Sequence, residues 1–407
     1  MPQKDFREKL VDFGVRFVRF IPGYSKIKQE LLSDWEYAQS FSSVSEFLDK
    51  EQETLKKITL GFNYSPPHME WLITDSRLKD SHITPSPTAV FDWFKSLKLQ
   101  IGRMEIRIDK SVDDELRFIP TYYTPWLEAF RQRNMLAILN PGLKAARWPE
   151  IHISKDILKK IYSTRVPQNG RTIRSKDSLA TYVRKYQTEV YSWLKENYLQ
   201  NIFAIQPENE PHSRFGAYRW KLSDNSLYES VVNAIEFFKN TPVKIMVNSP
   251  MVAGMMQKVT DTMIRTANTY PSEREKLMVG VNHYYRHPHS FVFGIDEIGD
   301  TLAFSQLGSL LWGNVGAEKE RIESHGIQMM TTELQLEPWY PDWMSPGDNF
   351  NEFIFILLRN IKFLNVNSPG KTFILLWGME EMYIHSVNGL SKEQEMILET
   401  LKAINSL

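Results

Sequence analysis

Eight short apolar segments alternate with longer amphipathic segments, and this alternation limits the fold more than any other feature of the chain. The apolar segments span residues 58–65, 99–108, 134–140, 201–207, 243–249, 277–285, 326–334 and 371–378. Helical patterns lie between most of them, for example at residues 176–200 and 349–364. Strands that alternate with helices form a parallel sheet covered by helices. Eight such units predict an α/β fold, the (β/α)8 TIM barrel, which can use a chain of 407 residues as one domain.

The chain upstream of the first strand has a different pattern. Residues 1–56 are predicted to form a helical N-terminal extension, and residues 57–407 the TIM-barrel catalytic domain. Ser43, with Glu46 three positions later, is typical of a helix N-cap. The segment 6–21 mixes arginine with phenylalanine. It either lies on a membrane surface or packs on the barrel.

Composition excludes several classes of protein. Lys and Arg together number 49, as do Asp and Glu, so the chain lacks the positive charge of a nucleic-acid-binding protein. It has no cysteine, which rules out disulfides, thiolate metal sites and cysteine nucleophiles. No apolar run is long enough to predict a membrane span. No signal peptide is evident, which favours the cytoplasm but leaves the compartment open.

Polar residues follow the fourth and seventh apolar segments. The fourth runs into Asn209 and Glu210, and the seventh ends at Glu333. Parallel barrel strands bring their carboxyl ends to one face, so the two glutamates are predicted to meet across the barrel mouth. The nucleophile-elbow, zinc-protease and nucleotide-binding motifs are absent, and no cofactor is predicted. The histidines of "HYYRHPH" lack a matching carboxylate cluster, so no metal site is predicted.

With these residues, the phrases "GFNYSP", "ARWPE" and "TELQLEPW" resemble the retaining glycoside hydrolases of clan A, a cellulase-like superfamily of (β/α)8 barrels. The resemblance spans roughly residues 58–390. It implies that Glu210 is the acid/base, that Glu333 is the nucleophile and that Asn209 contacts the 2-hydroxyl of the sugar. The other residues that it assigns to substrate binding are Arg103, His283, Tyr285 and Trp377.

Several assignments have competitors. Arg107 lies four residues after Arg103 and points to the same side of an extended strand. Glu208 either touches the sugar or braces its loop. Trp148 is predicted as an outer sugar contact and Glu380 as a contact to a sugar hydroxyl.

The predicted function is retaining cleavage of β-glycosidic bonds in a carbohydrate substrate. The reaction proceeds through a covalent glycosyl-enzyme and needs two carboxyl groups about 5–5.5 Å apart. Two alternatives stay open at this point. A transglycosylase uses the same intermediate with a different acceptor, and a non-catalytic barrel binds glycans without cutting them.

Overall fold

Eight parallel strands close into a barrel in the computed structural model. It describes residues 24–74, 85–147, 151–163, 166–214, 217–251, 253–283, 315–336, 346–364 and 372–407. The strands are β1 (Ile58–Asn63), β2 (Ile101–Glu105), β3 (Leu136–Asn140), β4 (Ile202–Ile205), β5 (Lys244–Pro250), β6 (Leu277–His283), β7 (Gln328–Gln335) and β8 (Thr372–Trp377). Their order around the barrel is β1-β8-β7-β6-β5-β4-β3-β2. Each overlaps one of the eight apolar segments, which confirms the predicted TIM barrel.

Helices surround the barrel. Within the described residues they are α1 (Tyr24–Gln39), α2 (Val44–Leu55), α3 (Pro66–Thr74), α4 (Pro87–Ser96), α5 (Thr124–Gln132), α6 (Lys155–Tyr162), α7 (Ser178–Tyr198), α8 (Asp224–Phe238), α9 (Ala253–Thr269), α10 (Val315–Ser324), α11 (Phe350–Leu364), α12 (Met379–Asn388) and α13 (Lys392–Ile404). A separate two-stranded parallel sheet joins Thr172–Ile173 to Lys221–Leu222. It links the long connections that follow β3 and β4.

Apolar side chains fill the interior of the barrel. They come from seven strands and are all buried: Ile101, Ile138, Ala204, Met246, Met278, Met330 and Leu375. A larger apolar core lies between the strands and the helices. The barrel is therefore a packed core, and a site must lie at one of its ends.

Among the described residues, the helices that precede β1 are α1 and α2, of which α2 has a side-chain N-cap and α1 packs on α11. Ser43 caps α2 by accepting the N–H of Glu46 at 3.3 Å, as predicted. The carboxylate of Glu46 turns to the N–H and hydroxyl of Ser42 at 3.0 and 2.9 Å, and does not return to the cap residue. Helix α1 packs on α11, where the Asn351 amide donates to the carbonyl of Ala38 at 3.1 Å.

The residues of the arginine- and phenylalanine-containing segment 6–21 lie outside the described part of the chain. None of the helices in the described ranges is both long and apolar enough to cross a membrane.

Candidate active site

At the carboxyl end of the barrel, the inward-facing positions change from apolar to polar. On β2 the inward series runs from Ile101 to Arg103, and on β5 from Met246 to Asn248. On β6 the same face ends at Asn282, which is 1% exposed. A buried polar layer thus covers the apolar interior, and the candidate catalytic residues belong to it.

A β-bulge turns Glu333 into this polar layer. Val281 of β6 pairs with Thr331 of β7, but the next residue, Asn282, pairs with Glu333. One residue of β7 is therefore inserted at this point. Because Met330 faces the interior, strict alternation would send Glu333 outward. The bulge reverses the inward and outward alternation of the side chains that follow it on β7, and the Glu333 carboxylate therefore points into the mouth.

Arg103 is the centre of the hydrogen-bond network. Its Nη1 donates to Glu333 Oε1 at 2.7 Å and to Asn63 Oδ1 at 3.1 Å. Its Nε donates to Gln206 Oε1 at 2.7 Å, and its Nη2 to Asn209 Oδ1 at 2.6 Å. The side chain is fully buried. One guanidinium thus orients the carboxylate of β7 and the asparagine that precedes Glu210.

Arg107, the competitor of Arg103, has a different partner. Its Nε and Nη2 donate to the two carboxylate oxygens of Asp109 at 3.0 and 2.7 Å. This pair is partly exposed at the end of β2. Of the two arginines, Arg103 is therefore the one that reaches Glu333.

Glu210 is held in an unusual backbone conformation. Its φ of 40° lies in the left-handed region, which costs a residue other than glycine about 1–3 kcal/mol. Three bonds fix this backbone: the N–H donates to Asn248 Oδ1 at 2.9 Å, and the carbonyl accepts from Lys144 Nζ at 2.8 Å and from the Ser213 N–H at 2.9 Å. Asn282 Nδ2 donates to the carboxylate at 2.6 Å. Such strain is typical of a functional position.

The two glutamates share neighbours across the mouth. Asn282, which binds Glu210, is the register partner of Glu333. Asn248 Nδ2 donates to Asn282 Oδ1 at 3.0 Å and to Asn209 Oδ1 at 2.8 Å, which closes the network. Glu333 is 3% exposed and Glu210 is 8% exposed. The structure thus brings Glu210, Glu333, Asn209 and Arg103 together in one recessed cluster.

Four members of this network did not come from the sequence reasoning: Asn63, Gln206, Asn248 and Asn282. The last three are each the first polar inward residue after an apolar strand, in "FAIQ", "KIMVN" and "MVGVN". A polar residue on the inward side at the end of a barrel strand is the signal that would have found them.

Arg147 is a further residue that the sequence reasoning missed. Its guanidinium carbon lies 3.8 Å from the centre of the Trp377 ring, a stacked cation–π arrangement. Its Nη2 also pairs with the carboxylate of Glu380, and both side chains are buried. The loop after β3 therefore reaches across the mouth to the end of β8. Trp377 and Glu380 belong to the same corner of the site.

A second buried carboxyl group lies beside Glu380. The Ser65 N–H donates to Glu380 Oε1 at 2.7 Å, and the Ser65 hydroxyl donates to Glu105. Burial raises the pKa of Glu105 above its usual value, although the bond from Ser65 opposes the shift. Burial in this corner of the mouth therefore makes Glu105 a weaker acid than an exposed glutamate.

His283 does not join the cluster. Its Nδ1 lies 2.7 Å from the amide nitrogen of Asn360, and its ring packs against Phe363; both belong to α11, behind the barrel wall. Alternation along β6 explains this, because Asn282 faces inward and the next residue faces the helices. The inward position that the sequence reasoning gave to His283 is thus held by Asn282.

Two other predicted contacts, Tyr285 and Trp148, lie outside the described residues. In the described ranges, no group of three or more His, Asp or Glu side chains is arranged to hold a metal ion.

Comparisons with known proteins give structural neighbours only. No protein-family model and no curated protein sequence matches the chain. A GH10 endoxylanase from a sugarcane soil metagenome has a TM-score of 0.50 at 10% identity, over 86% of this chain and 99% of that chain. Xylanase 10B from Thermotoga petrophila, solved with xylobiose, has a TM-score of 0.50 at 13% identity, over 90% and 99%.

A multi-domain enzyme is also similar. The tri-modular endo-β-1,4-glucanase B from Bacillus halodurans has a TM-score of 0.55 at 10% identity, over 87% of this chain and 61% of that chain. At this level of identity, the likeness concerns the fold. It confirms at that level the resemblance seen in the sequence: the chain has the (β/α)8-barrel fold of these glycoside hydrolases.

Proposed function

We propose that the protein is a retaining glycoside hydrolase that cleaves β-glycosidic bonds, with Glu333 as nucleophile and Glu210 as acid/base. One observation carries the proposal. Carboxylates from the ends of β4 and β7 are held in one buried network, in which Arg103 binds both Glu333 and Asn209, and Asn282 binds Glu210. Retaining hydrolysis needs two carboxyl groups that flank the same glycosidic bond.

In the first step, a carboxylate oxygen of Glu333 attacks the anomeric carbon, and the bond from that carbon to the leaving oxygen breaks. Glu210 gives its proton to the leaving oxygen. The buried ion pair with Arg103 supports the role of Glu333, because the guanidinium orients an anion that needs no further reorganisation.

In the second step, Glu210 takes a proton from water, and the oxygen of that water attacks the anomeric carbon. The bond to Glu333 breaks, and the sugar leaves with its original configuration. The fixed backbone of Glu210 supports this double role, because both proton transfers need the carboxyl group at the same position.

Asn209 and Trp377 contact the sugar in this proposal. The Asn209 amide is oriented by two acceptor bonds at its oxygen and by its donor bond to Ala145 O at 3.0 Å, which suits a fixed contact to the 2-hydroxyl. The indole of Trp377 contacts the sugar beside the guanidinium of Arg147. Glu380, Tyr285 and Trp148 remain predicted sugar contacts.

The test is a screen of nitrophenyl β-glycosides and β-linked polysaccharides with the wild type, Glu333→Ala and Glu210→Ala. We expect Glu333→Ala to lose turnover. Glu210→Ala should keep activity on substrates with good leaving groups, because such groups leave without an acid. Azide should raise this activity, because it attacks the anomeric carbon and displaces Glu333 without needing a base. Glu128→Gln, which removes a surface ion pair with Arg131, is the matched control.

Three outcomes would contradict parts of the proposal. No turnover by the wild type on the whole panel would favour a glycan-binding barrel. An equal loss in Glu210→Ala for all leaving groups would contradict its role as acid. Transfer to added sugar acceptors as the main product would identify a transglycosylase.

A further inference from the structure

Two loops at the mouth are joined by reciprocal hydrogen bonds. The N–H of Lys144, in the loop after β3, donates to the carboxylate of Glu208 at 3.0 Å. In return, the N–H of Asn209 donates to the carbonyl of Lys144 at 3.1 Å, and its side-chain amide donates to Ala145 O at 3.0 Å. We call this set of bonds the loop clasp. It joins the loop that contains Arg147 to the loop that carries Glu210.

The Lys144 side chain extends the clasp to the candidate acid. Its Nζ donates to the carbonyl of Glu210 at 2.8 Å and to the carbonyl of Ser213 at 2.9 Å, and Lys144 is fully buried. The backbone of Lys144 is thus fixed by Glu208, while its side chain fixes the left-handed backbone of Glu210. The position of Glu210 is therefore coupled to Glu208 through one lysine.

The loops approach each other too closely for a side chain at Gly142. A Cβ atom there would lie 2.3 Å from the Pro207 carbonyl oxygen and 2.7 Å from a carboxylate oxygen of Glu208. Only glycine fits such a contact. This close packing leaves the carboxylate of Glu208 against the backbone of the loop, with a side chain that is 1% exposed.

We propose that Glu208 is a positioning residue for Glu210, because it fixes the loop whose Lys144 side chain holds the Glu210 backbone. The inference rests on the proposed function and adds a residue that does not touch the substrate. The Glu208 carboxylate binds the N–H of Lys144 beside a small cavity lined by Leu143 and by residues of α7 and α8, while the Glu208 carbonyl accepts from Gln206 Nε2 at 3.2 Å.

The charges around Glu208 make the clasp sensitive to pH near neutrality. Burial raises the pKa of Glu208 to about 7. The N–H bonds from Lys144 and Leu143 and the charge of Lys144 lower this pKa, but burial has the larger effect. From α7, Arg184 lines the same cavity and Tyr191 lies close enough to feel the charge of Glu208. From α8, the cavity is lined by uncharged serines.

The first arm of the test measures leaving-group dependence in Glu208→Gln, Glu208→Ala and Lys144→Met. A misplaced acid matters only where the leaving oxygen needs a proton. We expect kcat to fall about ten- to hundredfold on alkyl glycosides, with KM nearly unchanged, and to stay within about threefold on dinitrophenyl glycosides. Glu229→Gln is the control, because the Glu229 carboxylate pairs with Arg184 at 2.9 Å and is not part of the clasp.

The second arm does not depend on turnover. Amide hydrogen exchange of residues 141–147 and 208–213 is compared between the wild type and the Glu208 variants, with the barrel strands as internal reference. We expect faster exchange in both segments in the variants and wild-type exchange in Glu229→Gln.

Unchanged exchange in both segments would overturn the positioning role. So would an equal loss of kcat on alkyl and dinitrophenyl glycosides, because a general structural defect lowers both. If the wild type turns over no glycoside, the proposed function fails. Exchange then decides alone whether Glu208 positions the loops.

Discussion

Glu208 also makes a quantitative prediction about stability. The pKa of its carboxyl group is about 7 in the folded chain against 4.5 for an ordinary glutamate, because burial penalises the charged form. The folded state therefore holds this proton more tightly than the unfolded state. Its contribution to the free energy of unfolding is complete below pH 4.5 and is lost as the pH rises through about 7.

The size of the effect follows from the two values. The interval between 4.5 and about 7 corresponds to about 3 kcal/mol at about 1.36 kcal/mol for each pH unit. Water does not screen this carboxyl group, because Glu208 is 1% exposed. The variant Glu208→Gln has no titrating group at this position, so its free energy of unfolding does not show this decline with rising pH.

The assay is urea unfolding of the wild type and Glu208→Gln, followed by tryptophan fluorescence, at several values between about pH 4.5 and about pH 8. All other titrating groups are present in both proteins and cancel in the difference between them. We expect that difference to fall by about 3 kcal/mol across the interval, to the disadvantage of the wild type at high pH. A difference that stays constant with pH would refute the reasoning.

Three other perturbations test the description of the site. Arg103→Met removes a buried cation with four acceptors, and urea unfolding should show that the free energy of unfolding falls by about 3–5 kcal/mol. The free energy of unfolding should fall less in Arg107→Met, and equal losses would contradict the network. Arg147→Ala uncovers Trp377, so acrylamide should quench more of the tryptophan fluorescence than in the wild type; unchanged quenching would contradict the stacking. Burial lowers the pKa of His152 to about 4, so its NMR signals should show a neutral ring at about pH 6. The contribution of His152 to stability should be lost as the pH falls from 6.5 towards 4. An NMR titration midpoint near 6.5 would contradict this.

The barrel was predictable because its signal is repeated. Each strand is a short apolar run, and parallel strands bring their ends to one face, so Asn209, Glu210, Glu333 and Arg103 were expected to be neighbours before any geometry was known. Hydrogen bonds now join Arg103 to Glu333 and to Asn209. The strand order explains why residues so distant in the sequence lie together.

The direction of individual side chains was less predictable, because it depends on the phase of each strand. Glu333 faces the mouth only because one residue is inserted in β7, and nothing in "MMTTEL" marks that insertion. On β6 there is no insertion before Asn282, so this residue and not His283 faces inward. A shift of one residue reverses the side that a side chain faces.

Arg147 illustrates contacts for which the sequence carries no local signal. It lies in the loop after β3, while its partners Trp377 and Glu380 lie at the end of β8 and the start of α12. The apolar pattern identifies strands and helices, but it does not show which loop crosses the mouth. The sequence therefore predicted the neighbouring Trp148 as a contact, and Trp148 lies outside the described residues.

The central claim is that Glu333 forms a covalent bond to the sugar. The direct measurement is mass spectrometry after incubation with a 2-deoxy-2-fluoro glycoside of the sugar that the wild type turns over, because the fluorine slows hydrolysis of the intermediate. We expect the mass of one fluorosugar on the peptide that contains Glu333, and no adduct in Glu333→Ala. An adduct on another residue, or none while the substrate is still consumed, would contradict the account.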